Sequence, residues 1–256
     1  MKKLFAAFGT CLLLAMFFTA CNKTDSYDSA SISDYMNLEV GKYIHYRLDS
    51  TRYINFGQKD TVIHYDAKDV VEAAITDNAG KPGFKIVRYL RDTASQSEYD
   101  WKPVATIQVY PSRQGLDWVE DNFRYQKLKI PIQNGYNWKG NAYIDVIALD
   151  PSVDINWDYR YLDDWDYTYS NVGEPFTGWN NVLVENSITV NQRDETINDP
   201  KDPSVYSEQN FSKEVYGKGI GLVYREFFHA VYQPPVGGNP GYTDGYGIKM
   251  TFIDHN

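Results

Sequence analysis

The stretch YGIKMTF at residues 246–252 shows the pattern that decides the fold. Starting at Tyr246 and ending at Phe252, every second residue is apolar, and the residues between them are small or polar. A period of two places the apolar side chains on one face of an extended strand and leaves the other face to water. This pattern is typical of antiparallel sheets.

The same alternation recurs along the chain, at residues 44–48, 84–91, 105–109 and 165–170. Arg88 interrupts the apolar side of the second of these segments. Turn-forming residues separate the segments, at residues 78–83, 134–135 and 234–241. No amphipathic helix of three turns is visible after the N-terminal apolar run. The sequence therefore predicts an all-β fold in which residues 37–256 form a single curved antiparallel sheet, closing toward a barrel or folding into a sandwich.

Composition limits the class of protein. The chain has 256 residues, enough to bury a core without covalent staples. Its formal net charge of −9 and its pI of about 4.9 argue against nucleic acid as a partner, because phosphates demand clustered Lys and Arg. Two cysteines are too few for a disulfide scaffold.

The N-terminus has the layout of a secretory signal peptide. Lys2 and Lys3 precede an almost unbroken apolar run at residues 4–18. That run is too short, and ends too abruptly in polar residues, to be a good spanning helix. Residues 1–20 are therefore predicted to be a signal peptide.

The cleavage point carries a further signal. Residues 18–21, FTAC, resemble the lipobox of bacterial lipoproteins, although Phe18 stands where Leu is usual. The resemblance implies that Cys21 is diacylated and anchors the mature chain, since two or three acyl chains suffice for stable anchoring. Asn22 resembles the residue that directs such proteins to the outer membrane, on its periplasmic or surface face. The alternative is an ordinary signal peptide with a chance cysteine. Polar residues 21–36 are predicted to form a lipidated tether.

Three further motifs point to the same group of proteins. They are LEVGKYIHY at residues 38–46, GYNWKGNAY at residues 135–143 and VYGKGIGLV at residues 215–223. Together with the lipobox they resemble a group of Bacteroidota cell-envelope lipoproteins to which no activity is assigned. The resemblance therefore implies an envelope location and transfers no catalytic or binding residue.

One region, residues 150–166, departs from the strand pattern and is dense in aromatic and acidic residues. Exposed aromatic side chains beside carboxylates can stack on sugar rings or protein partners. The candidate stacking residues in and near this region are Trp157, Tyr159, Tyr161, Trp165 and Trp179. The alternative is that they pack in the core or cover sheet edges. The nearby aspartates do not follow a calcium-loop spacing, so no metal site is predicted.

Motifs for catalysis are missing from the sequence. It contains no nucleophile elbow, no zinc-protease helix and no Walker loop. Residues 216–221 are glycine-rich, but a strand-like segment follows them, so we interpret them as a turn between paired strands. His45, His64, His229 and His255 are scattered, with no nucleophile set beside them in sequence.

From these observations we predict a non-catalytic binding module for glycan or lipid, tethered to the outer membrane through Cys21. No cofactor and no nucleic-acid partner is expected. The first alternative is a structural or accessory subunit that docks on another envelope protein. A hydrolase is a further alternative, which would require a compact acid, base or metal site assembled from distant residues.

Overall fold

The computed structural model describes residues 30–144 and 159–256, and the regular structure there is almost entirely strand. The strands are β1 (Tyr43–Ile54), β2 (Lys59–Thr76), β3 (Pro82–Asp92), β4 (Lys102–Pro111), β5 (Gly115–Glu120), β6 (Phe123–Lys129), β7 (Asn137–Lys139), β8 (Asp166–Thr177), β9 (Leu183–Ile197), β10 (Ser207–Gly217), β11 (Gly221–Gln233) and β12 (Tyr242–His255). Short 3₁₀ turns are the only helical segments in the described ranges, at Ile32–Tyr35, Glu98–Asp100, residues 159–162 and Trp179–Asn181. The predicted all-β class is confirmed.

All twelve strands belong to one sheet, in the order β6-β5-β4-β3-β2-β1-β12-β11-β10-β9-β8-β7. Strands β1 to β6 form one antiparallel meander and strands β7 to β12 form a second. The first and last strands join them, with Tyr46 opposite Phe252 and Leu48 opposite Met250. Pairing of β1 with β12 therefore fixes how the two halves of the chain face each other.

The two edge strands of this sheet, β6 and β7, approach each other. The Gln126 amide donates a hydrogen bond to the Gly140 carbonyl at 2.7 Å, and the Trp138 indole donates to the Gln126 carbonyl at 2.7 Å. The Tyr169 hydroxyl bonds both the amide and the carbonyl of Lys129. These contacts bring the sheet close to closure, so the sequence alternative of a barrel describes the fold better than a sandwich.

The apolar residues at every second position of the strands fill much of the barrel interior. Ile107, Leu116 and Ile188 are fully buried, from three different strands. Trp118 and Trp138 add large buried rings to the same core. The alternation seen in the sequence is therefore the alternation between barrel interior and exterior.

One end of the barrel is closed by residues 30–36, and we call it the plugged end. Ile32, Tyr35 and Met36 are buried and belong to the main core. The Tyr35 hydroxyl donates to the Asn186 side chain at 3.2 Å. The last residues of the predicted tether at residues 21–36 therefore pack against the barrel, because apolar residues in this segment gain by burial there. Residues 1–29, with the predicted signal peptide and Cys21, lie outside the described residues.

The glycine-rich segment at residues 216–221 forms the hairpin between β10 and β11, at the plugged end. Gly219 has a φ of +76° and Gly221 a φ of +119°, both in the region that favours glycine. A register shift between Val215 and Tyr216 adds a bulge beside this turn. A strand follows it, as the sequence indicated, so the glycines serve the turn.

Candidate functional site

Six charged side chains meet inside the barrel, between its two halves. This six-charge network consists of Asp69, Arg88, Glu120, Lys127, Glu214 and Arg225. Three are acidic and three are basic, so the network is neutral when all six are ionised. It links strands β2, β3, β5 and β6 of the first meander to β10 and β11 of the second.

Close contacts define the network. Arg88 forms a bidentate pair with Asp69, at 2.7 and 2.8 Å, and also reaches Glu120 at 3.3 Å. Arg225 lies 2.7 Å from the other oxygen of Glu120 and 3.7 Å from Glu214. Lys127 donates to Glu214 at 2.7 Å. Every charge therefore has a partner of opposite sign, which is what burial of ions requires.

Burial and partner charges act against each other on the pKa values of these groups. Burial would raise the pKa of Glu120, but Arg225 and Arg88 outweigh it and lower that pKa to about 2. Burial also opposes ionisation of Glu214, yet Lys127 and Arg225 hold its pKa below the usual value. For Lys127, burial dominates over Glu214 and lowers the pKa of the ammonium group.

Local backbone features place these residues. Asp69 and Arg88 are directly opposite each other on β2 and β3. On β6, Leu116 pairs with Leu128 and Asp117 with Gln126, which leaves Lys127 as the extra residue of a bulge. A bulge re-aims side chains, which explains how Lys127 and Leu128 are both buried although they are consecutive.

The barrel end opposite the plug carries two cavities, and we call it the open end. The β1–β5 cavity, of about 620 Å³, lies above the network, and Arg88 and Glu120 form part of its lining. Apolar Leu48, Leu90 and Ile248 also line it. Charged residues complete the lining, including Arg52, Asp92 and Lys102.

The second cavity, of about 610 Å³, lies against the inner faces of β9, β10 and β11, and we call it the β9–β11 cavity. Most of its lining is polar or charged: Arg160, Asp163, Arg193, Glu195, Tyr206, Glu208, Asn210, His229 and Gln233. Tyr161, Ile197 and Val231 contribute the apolar surface. Both cavities fall within the size range of small-molecule sites.

Aromatic side chains lie between the two cavities. Tyr246 on β12 packs on Phe227 with ring centres 5.1 Å apart, and its hydroxyl lies 3.4 Å from that of Tyr161. Tyr161 in turn stacks on His229, with ring centres 3.7 Å apart and planes 13° from parallel. Tyr161 therefore connects the wall between the cavities to the polar lining of the second cavity.

Far less space lies beneath the N-terminal segment at the plugged end. A cavity of about 30 Å³ lies beneath the N-terminal segment, lined by residues that include Met36, Ile44 and Leu222. This volume suffices for about one water molecule and not for an acyl chain.

The predicted stacking residues do not form one platform. Trp157 lies outside the described residues. Tyr159 is exposed and packs on Phe123 with ring centres 4.9 Å apart, and Tyr161 lines the β9–β11 cavity two residues further on. Trp165 is only 2 % exposed and donates its indole N–H to the Tyr161 carbonyl, so it cannot stack on a ligand.

Trp179 lies elsewhere. It follows β8, while Trp165 precedes that strand, so the two residues lie beyond opposite ends of a twelve-residue strand. The Arg47 guanidinium lies 5.1 Å from the centre of the Trp179 ring. Their closeness in sequence suggested that Trp165 and Trp179 belong to one cluster. They lie instead at opposite ends of β8, the strand between them.

The histidines are also dispersed. His45 lies 3.3 Å from Asp254, and His64 lies 2.6 Å from Asp49, both on the outside of the barrel. His229 alone of the four lines one of the large cavities described. The three-histidine constellation that a hydrolase hypothesis would favour is not assembled.

No group of three or more His, Cys, Asp or Glu side chains in residues 30–144 and 159–256 is placed to hold a metal ion, and Asp164 and Asp166 instead pair with Lys139. Within the same ranges no helix is long and apolar enough to cross a membrane.

Sequence analysis missed the network and most of the cavity lining. One signal was available, since Arg88 falls at an apolar position of β3. A second lay in β10, where Asn210, Ser212 and Glu214 occupy the inward positions and are all buried. Polar residues at core positions are a signal for an internal network, but their partners lie on strands distant in sequence.

Comparisons with known proteins complete the description. No protein-family model and no curated protein matches the sequence. A solved structure from Bacteroides fragilis, of a candidate exported protein with a YmcC-like fold, matches 88 % of this chain and 100 % of its own, with 11 % identity and a TM-score of 0.29. A candidate outer membrane lipoprotein-sorting protein domain from Vibrio parahaemolyticus matches 84 % of this chain and 85 % of its own, with 11 % identity and a TM-score of 0.19. At TM-scores this low neither likeness assigns an activity to this chain.

Proposed function

We propose that this chain is a lipid-anchored protein of the cell envelope whose β domain binds a polar ligand at its open end without transforming it. The anchor is Cys21, and the location is the outer membrane. The observation that carries the binding role is the pair of cavities, each of about 600 Å³, with charged and polar linings at one end of the barrel. Binding of an apolar ligand inside the plugged end of the barrel has no comparable support, because side chains fill that end.

The nature of the lining favours a glycan over a lipid. An acyl chain gains free energy by removing apolar surface from water, and it would remove water from the carboxylates and guanidinium groups of the cavities without replacing its hydrogen bonds. A hydroxylated ligand replaces the hydrogen bonds of water at those groups. Of the two ligand classes that the sequence suggested, the cavities therefore support the polar one.

Native mass spectrometry of the full chain, released gently from its own envelope in detergent, tests this proposal. We expect a polar compound that dissociates from the protein at raised collision energy, and an acyl mass on the N-terminal Cys21. A dissociating acyl lipid in place of a polar compound would contradict the choice of ligand. A bare acylated chain, with no response to added glycans in solution, would contradict the binding role.

The anchor has its own test. Replacement Cys21→Ser removes the thiol that carries the acyl chains, so the variant should leave the membrane fraction or remain unprocessed. Fractionation of cells that express each form measures this. A Cys21→Ser chain that is still acylated and membrane-bound would contradict the proposed anchor.

A second candidate, docking on another envelope protein, is favoured by apolar side chains at the tips of two open-end hairpins. Phe56 is 96 % exposed and Val236 is 72 % exposed. The two hairpins touch, since the Thr243 amide donates to the Gly57 carbonyl at 2.8 Å. A photo-crosslinking residue at position 56 should then capture one specific envelope protein, and capture of none would leave the ligand-binding role alone.

A further inference from the structure

His229 in the β9–β11 cavity is held in one orientation by a relay of hydrogen bonds. The relay begins at two carboxylates: the Asn210 amide nitrogen donates to Glu208 at 2.9 Å and to Glu195 at 3.3 Å. Asn210 is only 2 % exposed. Because its nitrogen is used by the carboxylates, its amide oxygen faces the histidine.

The oxygen of Asn210 lies 2.6 Å from Nδ1 of His229. An amide oxygen only accepts hydrogen bonds, so Nδ1 must carry the hydrogen. In the neutral ring this leaves Nε2 with a lone pair and no hydrogen. Nε2 has no hydrogen-bond partner within the described residues, and its ring lines the β9–β11 cavity.

A stacking contact also fixes the imidazole ring of His229, and burial keeps it uncharged. Tyr161 stacks on it, as described above. Burial lowers the pKa of His229 below the usual 6.5, and the acidic groups that oppose this effect are Glu208 on β10 and Asp244 on β12. The imidazole is therefore neutral at pH 7, with its acceptor nitrogen toward the cavity.

Two carboxylates near His229, those of Glu195 and Glu208, are also hydrogen-bond acceptors. Arg193 is bound to Glu195, with its terminal nitrogen 2.7 Å from the carboxylate. The Tyr206 hydroxyl donates to Glu208 at 2.7 Å. The carboxylates keep further lone pairs, since each carboxylate can accept about four hydrogen bonds. A ligand group that bonds to Nε2 of His229 or to these carboxylates must therefore supply a hydrogen.

We infer that the β9–β11 cavity binds an uncharged, hydroxyl-rich ligand of the carbohydrate class, with one ligand hydroxyl donating to Nε2 of His229. This inference rests on the proposed binding function and deepens it. A neutral ligand is favoured because both signs of charge line this cavity: Asp163, Glu195 and Glu208 lie beside Arg160 and Arg193, so a ligand charge of either sign meets a like charge. The Tyr161 and Tyr206 rings provide flat surfaces against which the C–H face of a sugar can pack.

The first measurement concerns His229 itself and needs no ligand. The chain has four histidines, so selective ¹⁵N-histidine labelling of the full chain gives few signals, and His→Phe variants assign them. Long-range proton–nitrogen correlation spectra at pH 7.5 should show the hydrogen of His229 on Nδ1. A hydrogen on Nε2 would overturn the inference whatever the protein binds.

The second measurement adds ligands to the same sample. The probes are maltotriose, mannotriose and chitotriose, with a galacturonate trisaccharide and palmitate for comparison. We expect a neutral trisaccharide to shift the Nε2 signal of His229, and the uronate and palmitate to leave it unchanged. No shift with any neutral sugar, or a larger one with the uronate or palmitate, would overturn the inference.

Variants then separate this site from the proposed function. His229→Phe keeps a ring against Tyr161 and removes Nε2, so affinity for the responding sugar should fall about tenfold, the loss expected for one buried hydrogen bond. The matched control His64→Phe, on the outer face, should leave affinity unchanged. Thermal melting verifies that both variants are folded. If the ligand found by native mass spectrometry binds His229→Phe as tightly as the parent chain, the binding function stands and this site is wrong.

The pH dependence of binding gives a further readout. Protonation of Nε2 turns the acceptor into a donor, so sugar affinity should be constant above pH 7 and fall as the pH drops below 6.5. Asn210→Asp replaces the amide by a carboxylate beside the ring, which favours the charged imidazole. That variant should therefore lose affinity at a higher pH than the parent chain, and an unchanged profile would contradict the relay.

Discussion

The plugged end and the open end of this barrel are built from the same strands, yet they are finished in different ways. At the plugged end, Ile32, Tyr35 and Met36 enter the barrel and leave a cavity of about 30 Å³. At the open end, the inner faces of the strands carry charged and polar residues around two cavities of about 600 Å³. The difference shows that closure of a sheet does not by itself decide whether the barrel holds a ligand; the side chains at each end do.

The six-charge network separates the two ends, and its disruption should have the largest effect. Glu214→Gln leaves Lys127 buried without its carboxylate and Arg225 with Glu120 alone, which costs about 4 kcal/mol of unfolding free energy. Urea denaturation of the soluble domain at pH 7 measures this. The double variant Lys127→Met, Glu214→Leu removes the pair together and should be more stable than Glu214→Gln alone. A Glu214→Gln domain as stable as the parent would show that the network has little structural role.

The segment at residues 30–36, which closes the plugged end, should contribute nearly as much to the unfolding free energy as one charge of the network. Ile32 is 3 % exposed, so Ile32→Ala removes buried apolar groups and leaves a void, at a cost of about 3 kcal/mol. Val236→Ala is the matched open-end control, and at 72 % exposure it should change stability by less than about 0.5 kcal/mol. Equal losses for the two variants would contradict the contrast between the ends.

Acid should lower the contribution of the six-charge network to the unfolding free energy. The pKa of Glu120 is about 2 in the folded chain, below its value in an unfolded chain, so its contribution is complete above about pH 4.5 and is lost as the pH falls. Between pH 7 and pH 3 the loss of unfolding free energy from this residue amounts to about 2 kcal/mol. Urea denaturation at several pH values across that interval should show that the unfolding free energy of Glu120→Gln changes less with pH than that of the parent chain. Identical slopes would place the acid sensitivity in other carboxylates.

The smallest effect is expected at the tip of the β1–β2 hairpin. Phe56 is almost fully exposed and has a φ of +56°, which is unfavourable for a bulky side chain. Phe56→Asn should raise the unfolding free energy by up to about 1 kcal/mol, since Asn tolerates this conformation. A loss of stability would show instead that Phe56 has a packing partner. If docking is its role, Phe56→Asn should abolish the capture of a partner by a photo-crosslinking residue placed at position 236, without harming the fold.

Much of the fold could be predicted from local pattern. The apolar positions of residues 44–48, 105–109 and 246–252 face the interior, as their period of two predicted, and the glycines at residues 216–221 form the predicted turn. The site was harder to predict. Trp165 and Trp179 were grouped because they are close in sequence, but β8 separates them. Asn210 and His229 were not paired, because only the register of β10 with β11 places them opposite each other.

The sequence by itself determined the alternation of buried and exposed residues and the turns, because each of these depends on residues within a few positions of one another. The predicted lipobox at Cys21 is a local pattern of the same kind. Only the tertiary structure decided that β1 pairs with β12, that Lys127 meets Glu214 and that His229 presents Nε2 to a cavity. Those contacts join residues that are distant along the chain, and their energies depend on burial and on partners of opposite charge. Neither quantity exists until the sheet has curved and brought its two halves together.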